Sequence, residues 1–222
     1  MRKQIGMMGI TMFLITLGIS GCIQHNSSNE QTITPTTESI QALLTKAETI
    51  NSMYYQITAT ITMSQYGTQT ATIKIWQKAP YLKAQITGTA MGATNTMSII
   101  QRPEGTYMYD TTQGKYVLTT NETSFVTSLQ YFNPEMIKKY LNNQNLTHFE
   151  TDTIDGKKTI IIQYIPAQGE NQMTVKIWIW NEKGVPLKAY FTMAMKEYTM
   201  TMDFNFNNYS FSDIPANTFS VS

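Results

Sequence analysis

Apolar and polar residues alternate one for one along Met53 to Met63. Met53, Tyr55, Ile57, Ala59, Ile61 and Met63 are interleaved with Tyr54, Gln56, Thr58, Thr60 and Thr62. Successive strand side chains point to opposite faces, so this stretch predicts a strand with one apolar and one hydroxyl-rich face. After a turn at Gly67 the pattern resumes, with Ala71, Ile73 and Ile75 against Thr70, Thr72 and Lys74. Before it, Ile40, Leu43, Leu44, Ala47 and Ile50 recur at helical spacing. They predict an amphipathic helix capped at Thr36 or Thr37 and running to about Asn51.

The alternation continues beyond Pro80. Leu82, Ala84 and Ile86 mark a third strand, Thr96 to Gln101 a fourth, and Thr106–Asp110 with Lys115–Thr119 a hairpin. The β pattern then stops. Phe125, Val126 and Leu129 suit one short helix, and Asn133-Pro134 followed by Met136, Ile137, Tyr140 and Leu141 suits a second. Strands return around the hairpin dipeptide Asp155-Gly156. They continue through Met173–Trp180, Val185–Met195 and Tyr198–Phe206, before a tail anchored by Ile214 and Phe219. About ten mostly one-sided antiparallel strands with grouped helices predict an α+β, mostly β fold. It is one strongly curved sheet, an incomplete β-barrel, with helices covering the concave face.

Residues 1–21 read as a lipoprotein signal peptide. Arg2 and Lys3 precede an apolar run from Ile5 to Ile19, short for a spanning helix, which needs ~20 residues. Ile19-Ser20-Gly21-Cys22 then forms a lipobox-like end, with Cys22 as the expected lipid attachment point. Cys22 is the sole cysteine, so no disulfide can form within the chain. Residues 22–36 are polar and aperiodic and predict a flexible tether, leaving 37–222 as one domain. The expected location is exported and lipid-anchored, on the outer face of the cytoplasmic membrane or in the cell envelope.

Composition narrows the function classes. A net charge of +1 gives no electrostatic case for nucleic acid. Charged residues are only 14%, and the polar positions are filled mainly by Thr, Asn and Gln. The two histidines are His25 in the tether and His148 on a strand, with no metal-ligand spacing and no Gly-rich phosphate loop. No cofactor or metal is expected, and an enzyme is the least supported class. Asn26, Asn121, Asn145 and Asn208 begin Asn-x-Ser/Thr sequons, frequent by chance in a chain this rich in Asn and Thr. Thr72–Trp76 with Leu82–Ala84 echoes Thr174–Trp178 with Leu187–Ala189, which fits two similar strand pairs in one sheet.

The order of these features resembles the LolA/LppX-like superfamily of lipoprotein-sorting and lipid-carrier proteins. The match rests on the lipobox, Trp76-Gln77-Lys78-Ala79-Pro80 leading into Leu82-Lys83, the hairpin Tyr107-Met108-Tyr109-Asp110 with Gly114-Lys115-Tyr116, and Phe204 to Phe219. The resemblance implies a half-barrel that binds acyl chains of lipids or lipoproteins without chemistry. The anchor at Cys22 departs from the soluble shuttle members and fits a tethered acceptor, extractor or sensor. A monomer is expected.

The candidate acyl-binding face comprises Tyr55, Ile57, Ala59, Ile61, Ile73, Ile75, Ala84, Ile86, Val175, Ile177, Leu187, Phe191, Met193, Met200, Met202 and Phe204. Each buried CH₂ contributes ~0.8 kcal/mol, so a chain of about a dozen carbons offers ~10 kcal/mol before association costs. The same periodicity also describes a filled core. In that alternative the protein is a surface sensor or interaction module that binds a protein partner through its loops. Phe125, Leu129, Met136, Ile137, Tyr140 and Leu141 form either a movable lid or a fixed connection. Trp76, Trp178 and Trp180 fall on the polar side of their strands, where they suit either an interface or packing beneath a cross-strand partner.

Overall fold

The computed structural model describes residues 35–90, 93–119, 134, 137–138, 146–165, 172–194 and 198–221. The signal segment, Cys22, the tether and lid residues Phe125, Leu129, Met136, Tyr140 and Leu141 lie outside them. Among the described residues, no helix is long and apolar enough to cross a membrane.

Helix α1 (Thr37–Glu48) buries Ile40, Leu43, Leu44 and Ala47, four of the five residues of the predicted stripe. Thr36 is its cap. The Thr36 hydroxyl accepts from the Ser39 backbone N–H and the Ser39 hydroxyl accepts from that of Thr36, so two orphan donors are satisfied reciprocally. The helix stops three residues before the expected Asn51, because Thr49 folds back and donates through both its N–H and its hydroxyl to the Lys46 carbonyl. Thr36→Ala should destabilise the domain by about 1 kcal/mol in urea unfolding, the usual value of a lost N-cap.

Eleven strands follow in one antiparallel sheet: β1 (Ser52–Met63), β2 (Gly67–Lys78), β3 (Tyr81–Ala90), β4 (Ala93–Arg102), β5 (Gly105–Asp110), β6 (Lys115–Thr119), β7 (Leu146–Ile154), β8 (Lys157–Tyr164), β9 (Gln172–Trp180), β10 (Pro186–Ala194) and β11 (Thr199–Ser210). Their order is β6-β5-β4-β3-β2-β1-β11-β10-β9-β8-β7. Two meanders are therefore joined by pairing the first strand with the last, and the sheet is open, with β6 and β7 as its edges. From β3 to β8 a flat sheet would span ~29 Å, against a helix diameter of ~10–12 Å. Ala84 on β3 and Ile162 on β8 are nonetheless both fully buried in one cluster with Ile40 and Leu44 of α1, as a sheet curled round its helix requires.

Register carries the alternation across strands. Ile57 stands opposite Ile73 on one side and Phe206 on the other, and Ala59 opposite Ala71 and Phe204. The outer face is a threonine array: Thr58, Thr72, Thr87 and Thr96 fall in one row, and Thr60, Thr70, Thr89 and Thr94 in the next. Hydroxyl pairs Thr62–Thr68, Thr87–Thr96 and Thr89–Thr94 lie 3.0, 3.1 and 3.2 Å apart on this face.

The tail crosses to the outer face. Ile214 and Phe219, the latter at the end of a 3-10 turn (Ala216–Phe219), are buried with Ile100 beneath Tyr54, Trp76 and Tyr81. Lys78 holds the tail through Asp213 at 2.7 Å and the Ile214 carbonyl at 3.0 Å.

Two irregularities interrupt the predicted alternation. Register shifts between Pro186 and Lys188, so Leu187 is an extra residue in β10 rather than part of an unbroken run from Val185. Opposite Tyr54–Gln56, β11 bulges around Asn208, which sits at φ 54°.

Candidate functional site

The concave face divides in two. Of the sixteen predicted site residues, Ile57, Ala59, Ile73, Ile75, Ala84, Val175, Ile177, Leu187 and Phe191 are buried. All of these but Leu187, the extra residue of β10, belong to one core cluster with Ile40, Leu43 and Leu44 of α1. Tyr55, Ile61, Ile86, Met193, Met200, Met202 and Phe204 are only half-buried. Ile61 and Met200 fall outside the packed core altogether. Except for Tyr55, these residues lie toward the turns that join β1 to β2 and β10 to β11. Register brings them together, with Ile61 opposite Met202, Met202 opposite Phe191, and Met63 opposite Met200, which in turn faces Met193.

At this end a groove of about 320 Å³ opens across β1 to β4. Its floor is the row Ala59, Ala71 and Gly88, and its walls are Ile61, Ile86 and Met97, with Gln69 and Asn95 among its polar lining. A Cβ placed at Gly88 would meet only Ala71 Cβ at 3.7 Å and the Thr70 carbonyl at 3.8 Å, so the space above it is free. No lining residue is charged. Sequence reading missed Ala71, Gly88, Met97, Gln69 and Asn95. The alternation already put Ala71 on the apolar side, but only register between strands sets it beside Ala59, Gly88 and Asn95.

Ile137 is the member of the predicted lid that lies within the described residues, and it is fully buried in the main core. Lys138 beside it pairs with Glu48 at the end of α1, Nζ to Oε2 at 2.7 Å. Tyr55 belongs elsewhere, in an aromatic column with Tyr209 at 5.3 Å and Phe206 at 6.1 Å. Burial pushes the Tyr55 phenol pKa up, and burial followed by the neighbouring Tyr55 does the same for Tyr209. Tyr209 donates its hydroxyl to the Pro186 carbonyl at 2.5 Å.

The three tryptophans lie on the outer face, half-buried beside cross-strand partners. Trp76 packs 5.2 Å from Tyr54 and carries Lys83 over its ring at 5.7 Å. Trp178 sits between Lys176 and Lys188, at 5.1 and 5.5 Å, and its Nε1 donates to Asp152 Oδ2 at 3.0 Å. Trp180 holds Lys157 over its ring at 5.5 Å.

Asp152 is held below the usual carboxylate range, first by the Thr153 backbone N–H, then by Trp178, with Lys176 and Lys188 adding to them. Any stability from this carboxylate is therefore present above the ordinary Asp range and is lost as pH falls through the folded midpoint. Trp178→Phe should move the Asp152 midpoint upward, but only part of the way back, because the Thr153 donor remains. A carbon-detected NMR titration of the carboxyl reads this directly.

Among the described residues, no group of three or more His, Cys, Asp or Glu could hold a metal ion.

No protein-family model and no curated protein matches the chain. Solved structures do resemble it. An uncharacterized conserved protein from Thermus thermophilus aligns at 10% identity over 82% of this chain and 92% of that one, with a TM-score of 0.50. A LolA superfamily protein from Nitrosomonas europaea aligns at 13% identity over 82% and 97%, with a TM-score of 0.41. LprF from Mycobacterium bovis aligns at 13% identity over 79% and 94%, with a TM-score of 0.38. The structural neighbours of this open antiparallel sheet thus include a member of the superfamily whose pattern the sequence resembles.

Proposed function

We propose that this protein is an exported lipoprotein, anchored through acylated Cys22. In this reading it holds an acyl chain of a lipid or of another lipoprotein against the half-exposed end of its concave face, without chemistry. The observation that carries the proposal is the state of Ile61, Ile86, Met193, Met200, Met202 and Phe204. Ile61, Met193, Met200, Met202 and Phe204 converge by register, Ile86 lines the groove beside Ile61, and all stay partly exposed while Ile57, Ala59 and Phe191 beside them are buried. Monomeric proteins rarely leave contiguous apolar surface uncovered without a binding role. Methionine suits a wall that meets chains of varied shape, being unbranched and polarizable.

The sequence resemblance points the same way, and the uncharged lining of the groove suits hydrocarbon. The buried remainder of the predicted face serves as scaffold in this reading.

Native mass spectra of the chain from Ile23 onward, taken before and after organic extraction, test the proposal. An adduct of lipid mass that disappears on extraction is expected. A bare protein mass from several expression hosts, with no uptake of added lipid, would overturn it in favour of a filled scaffold that binds a protein partner.

A further inference from the structure

Four methionines fall in one row across the apolar side of the sheet. Met63 on β1 stands opposite Met200 on β11, Met200 opposite Met193 on β10, and Met193 opposite Met173 on β9. Opposed residues of neighbouring strands point to the same face, with the strands ~4.8 Å apart. The next two rows are different. They read Ile61, Met202, Phe191, Val175 and then Ala59, Phe204, Ala189, Ile177. Branched, aromatic and small residues thus build the adjoining face. Methionine is not among the residues that strands favour, so a row made of nothing else needs a reason beyond burial.

The surroundings also set this row apart. Met173 is buried at one end, whereas Met63, Met193 and Met200 are half-buried, and Met63 and Met200 lie outside the packed core. On its β2 side Met63 faces Gly67, and nothing lies within 4 Å of where a Cβ on Gly67 would stand. The row is therefore approachable at its β1 end. Three rotatable bonds let each thioether lean across one strand spacing toward its neighbour. The curl of the sheet tilts side chains of the concave face toward one another.

We propose that Met63, Met193 and Met200 bind one soft monovalent cation, Cu(I), through their three thioether sulfurs. Thioether sulfur is soft and uncharged and suits Cu(I), whereas zinc sites are built from thiolate, imidazole and carboxylate. The row holds none of those donors. A single positive charge is also less costly to desolvate among neutral ligands than a double one. Met193 and Met200 belong to the proposed acyl wall as well, but an acyl chain requires only apolar surface and the ion requires sulfur.

Competition with bathocuproine disulfonate, a coloured Cu(I) chelator, under reducing conditions tests this. The full chain is used in detergent with Cys22→Ser, which removes its only thiol. Transfer of one equivalent of Cu(I) to the protein is expected, with no uptake of Zn(II) in a matching titration. With methyl-labelled methionine, Ag(I) as a redox-stable stand-in should shift the methyl signals of Met63, Met193 and Met200 among the 15 methionines. Met63→Leu, Met193→Leu and Met200→Leu nearly conserve apolar volume, a change that folds tolerate. Each should weaken Cu(I) uptake at least ~10-fold, since even the loss of an outer-shell partner costs about that much. Met53→Leu, at the opposite end of β1, should leave uptake unchanged. Failure to take Cu(I) from the chelator would overturn the proposal. So would equal binding of Zn(II), shifts confined to other methionines, or unchanged uptake in the three row variants. Lipid adducts are read in separate spectra, so failure here leaves the acyl reading untouched.

Discussion

Gly184→Ala is expected to lower the melting temperature by roughly 6–12 °C, a loss of about 3 kcal/mol in a domain of this size. Gly184 sits in the β9–β10 turn at φ 75°, a conformation that costs an L-residue about 1–2 kcal/mol. A Cβ there would also press into the Leu43 backbone carbonyl oxygen and lie 3.1 Å from Ala47 Cβ. Both belong to α1, and a helix backbone has no rotamer with which to yield. The helix must move off the sheet, opening gaps beside Leu43 and Leu44, which are 7% and 0% exposed. Gly67→Ala is the control. Gly67 has φ 79°, but nothing lies within 4 Å of where an added Cβ would stand, so it should lose only the conformational part, about 1 kcal/mol. Thermal and urea unfolding of the two variants measure the difference. Equal losses would mean that α1 is not seated on this turn.

The second large effect separates the two halves of the concave face. Ile61→Trp should leave the fold nearly unchanged and weaken acyl binding about 100-fold. Ile61 is half-buried, lines the groove and stands outside the packed core, so an indole there has room. It would displace about four methylenes of ligand, ~3 kcal/mol at ~0.8 kcal/mol each, which is about two powers of ten in affinity. Ile177→Trp should behave in the opposite way. Ile177 is 0% exposed, between Ala189 and Ile162 in the ladder, and overpacking there costs roughly 1–3 kcal/mol or more. From sequence the two positions look alike, since both are isoleucines on the apolar side of a strand. Fluorescent fatty-acid displacement together with thermal melts distinguishes them. Retained acyl affinity in folded Ile61→Trp would remove the groove from the proposed site.

The alternation of Met53–Met63 and its counterparts made the strands legible, because a period of two has only one structural reading at that length. The stripe Ile40, Leu43, Leu44 and Ala47 made the helix legible for the same reason at a period of 3.6. The Asp155-Gly156 turn was equally readable, since Asp155 and Gly156 both take positive φ. The extra residues at Leu187 and around Asn208 were not, because a bulge needs no distinctive side chain and changes only which partner lies opposite.

By itself the sequence determined which side of most strands is apolar and that the fold is an open antiparallel sheet attended by an amphipathic helix, while the third strand runs on through Gly88 to Ala90 and the fourth begins at Ala93 rather than Thr96. The properties it determined are local, set by the spacing of side chains along a few residues. Tertiary structure decided which part of the apolar face became core and which stayed half-exposed. That outcome depends on where one short helix lies across a curled sheet, with Gly184 letting it approach. It also decided that Ala59, Ala71 and Gly88 fall in one row, since rows across strands are set by register between residues far apart in the chain.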